Sequence, residues 1–221
     1  MIKAAIFDLD GTLVDSNELH VQAWRETFQH FGKDFPLARL RQQIGKGGDQ
    51  YLPEFLNEKE MREIGKQVVE FRGEIFSRKY LSQVQPFPRV RELLERIRGE
   101  GKKVALASSG KAKEVDYYQE LLGIEGLVDC RTTADDVAHS KPSADVFVTA
   151  LHLLGQLAPD QAVAIGDTPY DIAAAKKIDL ATIAVLCGGF PEDELRSTGA
   201  VAIFRDPADL LEHYYQSPLS G

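Results

Sequence analysis

The sequence predicts an α/β protein, a parallel sheet with helices between its strands, interrupted once by a helical insertion. Three observations predict it. Short apolar runs such as Ala4 to Phe7, Val104 to Ala107 and Ala162 to Ile165 lack polar alternation, the mark of strands buried on both faces. From Val90 onward, helical and strand patterns alternate regularly, as in successive βαβ units. Between the first strand and that alternation, residues 15 to 80 carry helical spacing and no good strand. A chain of 221 residues has room for one good core and a small second unit.

The first strand runs directly into Asp8, Leu9, Asp10, Gly11 and Thr12. In open α/β sheets ligands bind beyond the carboxyl ends of the strands, so Asp8 and Asp10 stand where a site is expected. Gly11 lets the chain turn sharply there. Two carboxylates one residue apart share a small volume, which is costly unless a cation or a proton compensates their repulsion. A strand-end turn with an Asp cap is the simpler alternative.

The insertion opens at Asp15 and Ser16, either of which suits a helix cap, and continues with an apolar face of Leu19, Ala23, Phe28 and Phe31, with Trp24, up to Gly32. Further helices fit residues 36 to 43, 49 to 56 and 58 to 80. Residues 44 to 49, IGKGGD, form a flexible loop with one cation, Lys46, which by itself reads equally as a solvated loop lysine. Arg72 and Lys79 read as solvated face, and His20 as a partly buried hinge histidine. Residues 83 to 88, with Pro86 and Pro88, read as the return linker.

A helix to about Gly99 precedes the strand Lys103 to Ala107, which ends in Ser108, Ser109 and Gly110. A hydroxyl and following amides at the start of a helix suit a phosphate oxygen, and Ser there is equally an N-cap. A strand over Val128 to Thr132 leads to Lys141 before Pro142. A residue before proline cannot continue a preceding helix and stands at a fixed entry to the next one, from which an ammonium can reach inward. The strand Ala162 to Ile165 ends in Gly166 and Asp167, and Asp171 follows on the next turn of a helix that Pro169 begins. Asp171 also complements a helix N-terminus. Strands near Ala181 to Leu186 and Val201 to Phe204 and a helix ending by Tyr215 complete the sheet.

FDLDGTLVD at residues 7 to 15 resembles the first motif of the haloacid dehalogenase-like hydrolases, most of which are phosphatases. ALASSG, SKPSADVF and GDTPYD resemble the second, third and fourth motifs, in order and each at a strand end. The resemblance covers essentially the whole chain. It points to the phosphoglycolate phosphatase and β-phosphoglucomutase-like branch. It implies a doubly wound, Rossmann-like core formed by residues 1–14 and 85–221 and a small α-helical cap formed by residues 15–84. Carried over residue by residue, it makes Asp8 the nucleophile, Asp10 the general acid and base, and Lys141 the stabiliser of nucleophile and phosphoryl charge. Asp8, Gly11, Thr12, Ser108, Ser109 and Lys141 bind the phosphate, Ser108 through its hydroxyl and Ser109 through its amide. Mg²⁺ is held by Asp8, the Asp10 carbonyl and Asp167, with Asp171 acting directly, through water, or only at its helix. His20, next to Trp24, and Lys46 in the cap's specificity loop are substrate candidates.

The expected function is magnesium-dependent hydrolysis of a small phosphate monoester, phosphoglycolate-like or sugar-phosphate-like, through an aspartyl phosphate. A dehalogenase needs neither Asp10 nor Asp167, and the phosphonate hydrolases of the family lack the second Asp. A β-phosphoglucomutase-like mutase shares the motif and the His and Trp. It tends to carry an acidic pair where Gly166 precedes Asp167, and the cap loop lacks an arginine for a second phosphate. A non-catalytic phosphometabolite-binding or interaction module is the reading from another class, but every catalytic position holds a competent residue type.

Composition bounds the rest. Apolar residues at 43% and charged ones at 27% argue against disorder. A net charge of −8 without a basic run argues against nucleic acid and obliges an anion site to concentrate its positive charge locally. Cys130 and Cys187 show neither metal spacing nor a disulfide framework, which suits a reducing cytoplasm. No signal peptide or membrane span is expected. With no heptads or large apolar stripe outside the core, a monomer or weak dimer is the expectation.

Overall fold

The computed structural model describes residues 1–220. Its main sheet contains β1 (Ala4–Phe7), β4 (Lys103–Ala107), β5 (Cys130–Thr132), β6 (Ala162–Gly166), β7 (Ala181–Val185) and β8 (Ala202–Phe204). The order across the sheet is β5-β4-β1-β6-β7-β8, and every neighbouring pair is parallel. The chain fills one side of β1 with β4 and β5, then crosses to the other side with β6. The carboxyl end of β1 is therefore the switch point, where such sheets form a crevice.

The unbroken apolar strands are explained by cover on both faces. Ala5 and Phe7 pack into one core with Val90, Leu94 and Ile97 of α5 (Val90–Gly99), Val115 and Tyr118 of α6 (Ala112–Leu122) and Leu210 of α10 (Pro207–Glu212). Ala4 and Ile6 point the other way, to Phe147 and Ala150 of α7 (Asp145–Leu153) and Ala174 of α8 (Pro169–Lys176). Burying a side chain such as Phe7 or Ile6 contributes about 1.5–3 kcal/mol. A smaller cluster of Ile172, Ala184 and Leu195 seats α9 (Glu192–Thr198).

Between Val14 and Pro86 lie α1 (Asn17–His30), α2 (Leu37–Arg41), α3 (Gly48–Tyr51) and α4 (Glu58–Ile75), around a separate apolar cluster of Val21, Trp24, Phe28, Leu40, Tyr51, Phe55 and Val68. Its two connections pair with each other as a short antiparallel ribbon, β2 (Val14–Asp15) with β3 (Gln85–Pro86). The helix expected over 49 to 56 breaks after Tyr51 into a 3₁₀ turn, Leu52–Glu54. Pro53 has no N–H to continue the α-helical ladder. The long helix stays α-helical only to Ile75, then widens into a π-type turn, Phe76–Tyr80. Among the described residues no helix is long and apolar enough to cross a membrane.

Candidate active site

The loop after β1 is tied by its own backbone. The amides of Thr12, Leu13 and Val14 all donate to the Leu9 carbonyl, and that of Gly11 donates to the Val14 carbonyl, with Gly11 at φ +75°. Gly11 and Thr12, expected at the phosphate, thus have their amides occupied by this turn. The Thr12 hydroxyl is occupied as well, donating to Asp167 Oδ1 at 2.9 Å. Among the described residues the amides of Leu9 and Asp10 have no protein acceptor, so they are the free donors beyond Asp8.

Asp8 is 6% exposed, one residue past β1, with its amide still donating to Ile165 of β6. Lys141 reaches it from the segment before α7 and is itself 1% exposed. Its ammonium lies 2.5 Å from Asp8 Oδ1, 2.7 Å from Asp171 Oδ1 and 2.8 Å from the Ala107 carbonyl. Asp171 turns its other oxygen to the N-cap of α8, accepting from the Thr168 amide at 3.1 Å and hydroxyl at 2.7 Å. Asp167 follows β6, and its Oδ2 accepts from Asn17 Nδ2 at 2.8 Å. Asn17 also donates to the Gly188 carbonyl at 2.9 Å, so it braces Asp167 against the loop after β7.

Asp8, Asp167 and Asp171 offer carboxylate oxygens that lie within 4.8 Å of one another, all buried. Three carboxylates against one ammonium leave excess negative charge. Burial pushes the Asp8 carboxyl up; Lys141 pulls back, Asp171 and Asp10 push further, and it ends at about 7. Burial, then the charges of Asp171 and Asp8, hold Asp167 well above the carboxylate range. Burial disfavours the Lys141 charge, but Asp171 and Asp8 more than offset that and raise its pKa. An all-oxygen, over-anionic, buried cluster fits a hard divalent cation.

Asp10 stands apart from this trio. Its Oδ1 accepts from Ser16 Oγ at 2.6 Å, His20 Nε2 at 2.7 Å and Tyr118 Oη at 3.0 Å. Burial raises its pKa, but the His20 ring and the hydrogen bonds from His20, Ser16 and Tyr118 overcome it and hold the carboxyl well below its usual range. Ser16 stands at the N-cap of α1 but makes no side-chain cap bond, because its hydroxyl serves Asp10. The Asp10 side chain is not part of the buried trio. Its backbone carbonyl accepts no protein hydrogen bond among the described residues.

A cavity of about 280 Å³ opens above Asp8 and Asp10, lined further by Trp24, Arg72, Ser109 and the loop from Ile44 to Asp49. Ser108 Oγ is buried and accepts from the Gly110 amide at 2.9 Å, which leaves its own proton without a protein acceptor among the described residues; the Ser109 amide, at the cavity wall, has none either, while Ser109 Oγ is buried with no hydrogen-bond partner. His20 is stacked on Phe76 at 4.0 Å and lies between Asp10 and Arg72. Arg72 donates to Nδ1, so Nε2 carries the proton given to Asp10. Lys46 lines the cavity with its ammonium bonded to Gln43 Oε1 at 2.6 Å and Glu54 Oε1 at 2.8 Å, over the Tyr170 ring.

Arg72 is not solvated face. Its guanidinium lies over the Trp24 and Phe76 rings and 3.5 Å from Glu114, in the cavity wall. Lys79 does face outward, paired with Glu26. Sequence reasoning missed Asn17, Tyr118, Glu114 and Ser140. Asn17 stands where a cap residue is ordinary, and Tyr118 reads as core.

The family model for haloacid dehalogenase-like hydrolases matches residues 5–185. The chain belongs to this family. The haloacid dehalogenase-like chain is 28% identical over 210 residues to a pyrophosphatase, PpaX, of Oceanobacillus iheyensis, covering 95% of each. It is 27% identical to a phosphorylated carbohydrates phosphatase of Thermotoga maritima, covering 95% of this chain and 97% of the relative. In structure it is similar to a hydrolase from Pseudomonas syringae, with a TM-score of 0.87 and 29% identity, over 96% of this chain and 98% of that one. Similarity thus extends through the helical insertion as well as the sheet.

Proposed function

We propose that this hydrolase is a magnesium-dependent phosphatase that cleaves a small phosphate monoester through an aspartyl phosphate. One observation carries the reading. A buried nucleophile candidate, Asp8, is held by Lys141 at the switch point, and Asp10, two residues on and outside the trio, lines the same cavity. An Asp8 oxygen attacks phosphorus, the ester P–O bond breaks, and the departing oxygen takes a proton from Asp10. Water then attacks the aspartyl phosphate, gives its proton to Asp10 and frees Asp8. Three donors hold Asp10 Oδ1, leaving Oδ2 to carry the proton. The lowered pKa of Asp10 keeps the resting carboxyl ionised, the form that takes the proton of the attacking water in the second step.

The free amides of Leu9, Asp10 and Ser109 and the Ser108 hydroxyl are the donors available to the phosphoryl oxygens, and the Lys141 ammonium, whose N–H groups go to Asp8, Asp171 and the Ala107 carbonyl, adds its positive charge beside them. Asp8, Asp167 and the Asp10 carbonyl would hold Mg²⁺, with Asp171 supporting Lys141. When bound, the metal screens the nucleophile from the phosphate and offsets the developing charge. The helices of residues 15–84 act as the cap that excludes water from the cavity and meets the leaving group. Cys130 and Cys187 are both free, which supports a reducing, cytoplasmic setting.

Relatives that act on phosphorylated carbohydrates and the small cavity support a phosphoglycolate-like or sugar-phosphate-like ester. One observation favours a mutase instead: the cap does bring an arginine, Arg72, to the cavity wall. Glu114 and His20 already occupy it, however, and no side chain fits at Gly166, where a Cβ would stand 2.5 Å from Asp171 Cγ. The deciding experiment measures inorganic phosphate released from a panel of monoesters, with Mg²⁺ and with chelator, for the wild type and Asp8→Asn. Release that needs both Mg²⁺ and Asp8 supports the phosphatase. Release by Asp8→Asn at the wild-type rate refutes the mechanism, and conversion of a hexose phosphate only in the presence of its bisphosphate identifies the mutase.

A further inference from the structure

The cap loop does more than cover the cavity, because it grips the residue next to Lys141. The Gly47 amide donates to Ser140 Oγ at 2.9 Å, and the Ser140 amide donates to Asp49 Oδ2 at 3.0 Å. The Ser140 hydroxyl donates in turn to Asp49 Oδ1. Ser140 is 4% exposed. A Cβ on Gly47 would stand 2.5 Å from Ser140 Oγ, so only glycine permits this approach. Both ends of the grip line the cavity.

The consequences follow from the costs of unpaired polar groups. Lifting the loop away strips the acceptor from a buried amide and a buried hydroxyl, about 1–3 kcal/mol for each group left dry. Water entering an open cleft offsets part of that cost but fixes no geometry. One residue along the chain, the Lys141 ammonium bridges Asp8 and Asp171. The position of the cap loop and that of the lysine are therefore coupled through a single peptide unit.

We infer that Gly47 and Asp49 clamp Ser140 as a closure latch, so that the cap, once shut over substrate, fixes Lys141 for the transfer step. Asp49 and Ser140 are positioning residues acting through Lys141. The inference rests on the phosphatase reading for its kinetic arm and on geometry alone for its other arm.

The test compares Asp49→Ala and the milder Asp49→Asn with the wild type. With the best ester from the panel, Asp49→Ala is expected to lower kcat by about 10- to 100-fold, the scale of a misplaced group near 1 Å, with a smaller change in KM. Asp49→Asn keeps one acceptor and falls between. Magnesium-induced thermal stabilisation stays close to wild type in both, since Asp8, Asp167 and Asp171 are untouched. Wild-type kcat with reduced stability would make the contact simple glue and overturn the latch. The second arm needs no activity: with ¹³Cε-labelled lysine, the Lys141 resonance shifts in Asp49→Asn. A protein that releases no phosphate but shows this shift loses the phosphatase reading and keeps the coupling, whereas an unmoved resonance overturns the coupling whatever the activity.

Discussion

The Lys141 ammonium lies 2.5 Å from the Asp8 carboxylate, with 1% of the lysine side chain and 8% of the aspartate exposed. Removing one member of a buried pair leaves a charge with no compensation, and among the described residues Lys141 is the cation paired with two of the three clustered carboxylates, Asp8 and Asp171. Lys141→Met is therefore expected to cost about 3–5 kcal/mol. The loss is greatest at high pH, where the orphaned carboxylates must ionise, and shrinks as acid protonates them. Urea unfolding at pH 5.5 and 8 checks both sign and size; equal losses at the two pH values would refute the charge argument.

The metal-free protein is expected to lose stability as pH rises from about 4 to about 7. The Asp8 pKa is raised from 3.8 to about 7, so across that window the native state holds a proton that the unfolded chain has released. Stability then falls with pH. Mg²⁺ competes with that proton and binds the ionised cluster better. Thermal shift with and without Mg²⁺ should thus give a larger stabilisation at pH 8 than at pH 5.5.

Much of this was legible because a parallel strand buried on both faces is an apolar run, and a carboxylate or hydroxyl closing such a run is conspicuous. Asp8, Ser108 and Asp167 each end one. Lys141 was legible only through the order of the motifs, since no strand precedes it directly. The groups that surround Asp10 were not legible. Ser16 and Asn17 open a helix and read as caps, and Tyr118 has the helical spacing of a core residue, yet its hydroxyl serves a carboxylate 108 positions away. Arg72 has the local pattern of a charged helix face, and only the docking of that helix against Glu114 and His20 turns it inward.

Asn17 is expected to govern metal affinity without touching the metal. Its amide fixes Asp167 Oδ2 against the Gly188 carbonyl. Losing a group that orients a ligand typically costs 10–100-fold in affinity, so Asn17→Ala should weaken Mg²⁺ binding by about that factor. Asn17→Asp adds a carboxylate to an over-anionic cluster, raises Asp167 further and should destabilise the metal-free protein more than Asn17→Ala. Titration calorimetry with Mg²⁺ and metal-free melting temperatures separate the two effects.

Arg72 and Glu114 should behave as a coupled pair between cap and core. Glu114 is 7% exposed, and Arg72, sandwiched by the Trp24 and Phe76 rings, is the cation that compensates it. Arg72→Met leaves that carboxylate buried alone and should cost about 3 kcal/mol, toward the low end for broken buried pairs because the arginine is still 17% exposed. Glu114→Gln added to Arg72→Met removes the orphan charge and should recover about half of the loss, a coupling within the 0.5–3 kcal/mol expected of contacting residues. If the double variant is no more stable than Arg72→Met, the arginine stabilises through its stacking on Trp24 and Phe76 rather than through charge. Arg72→Lys then discriminates further, because an ammonium keeps the charge but neither the flat stacking nor the forked donors that reach Glu114 and His20 together.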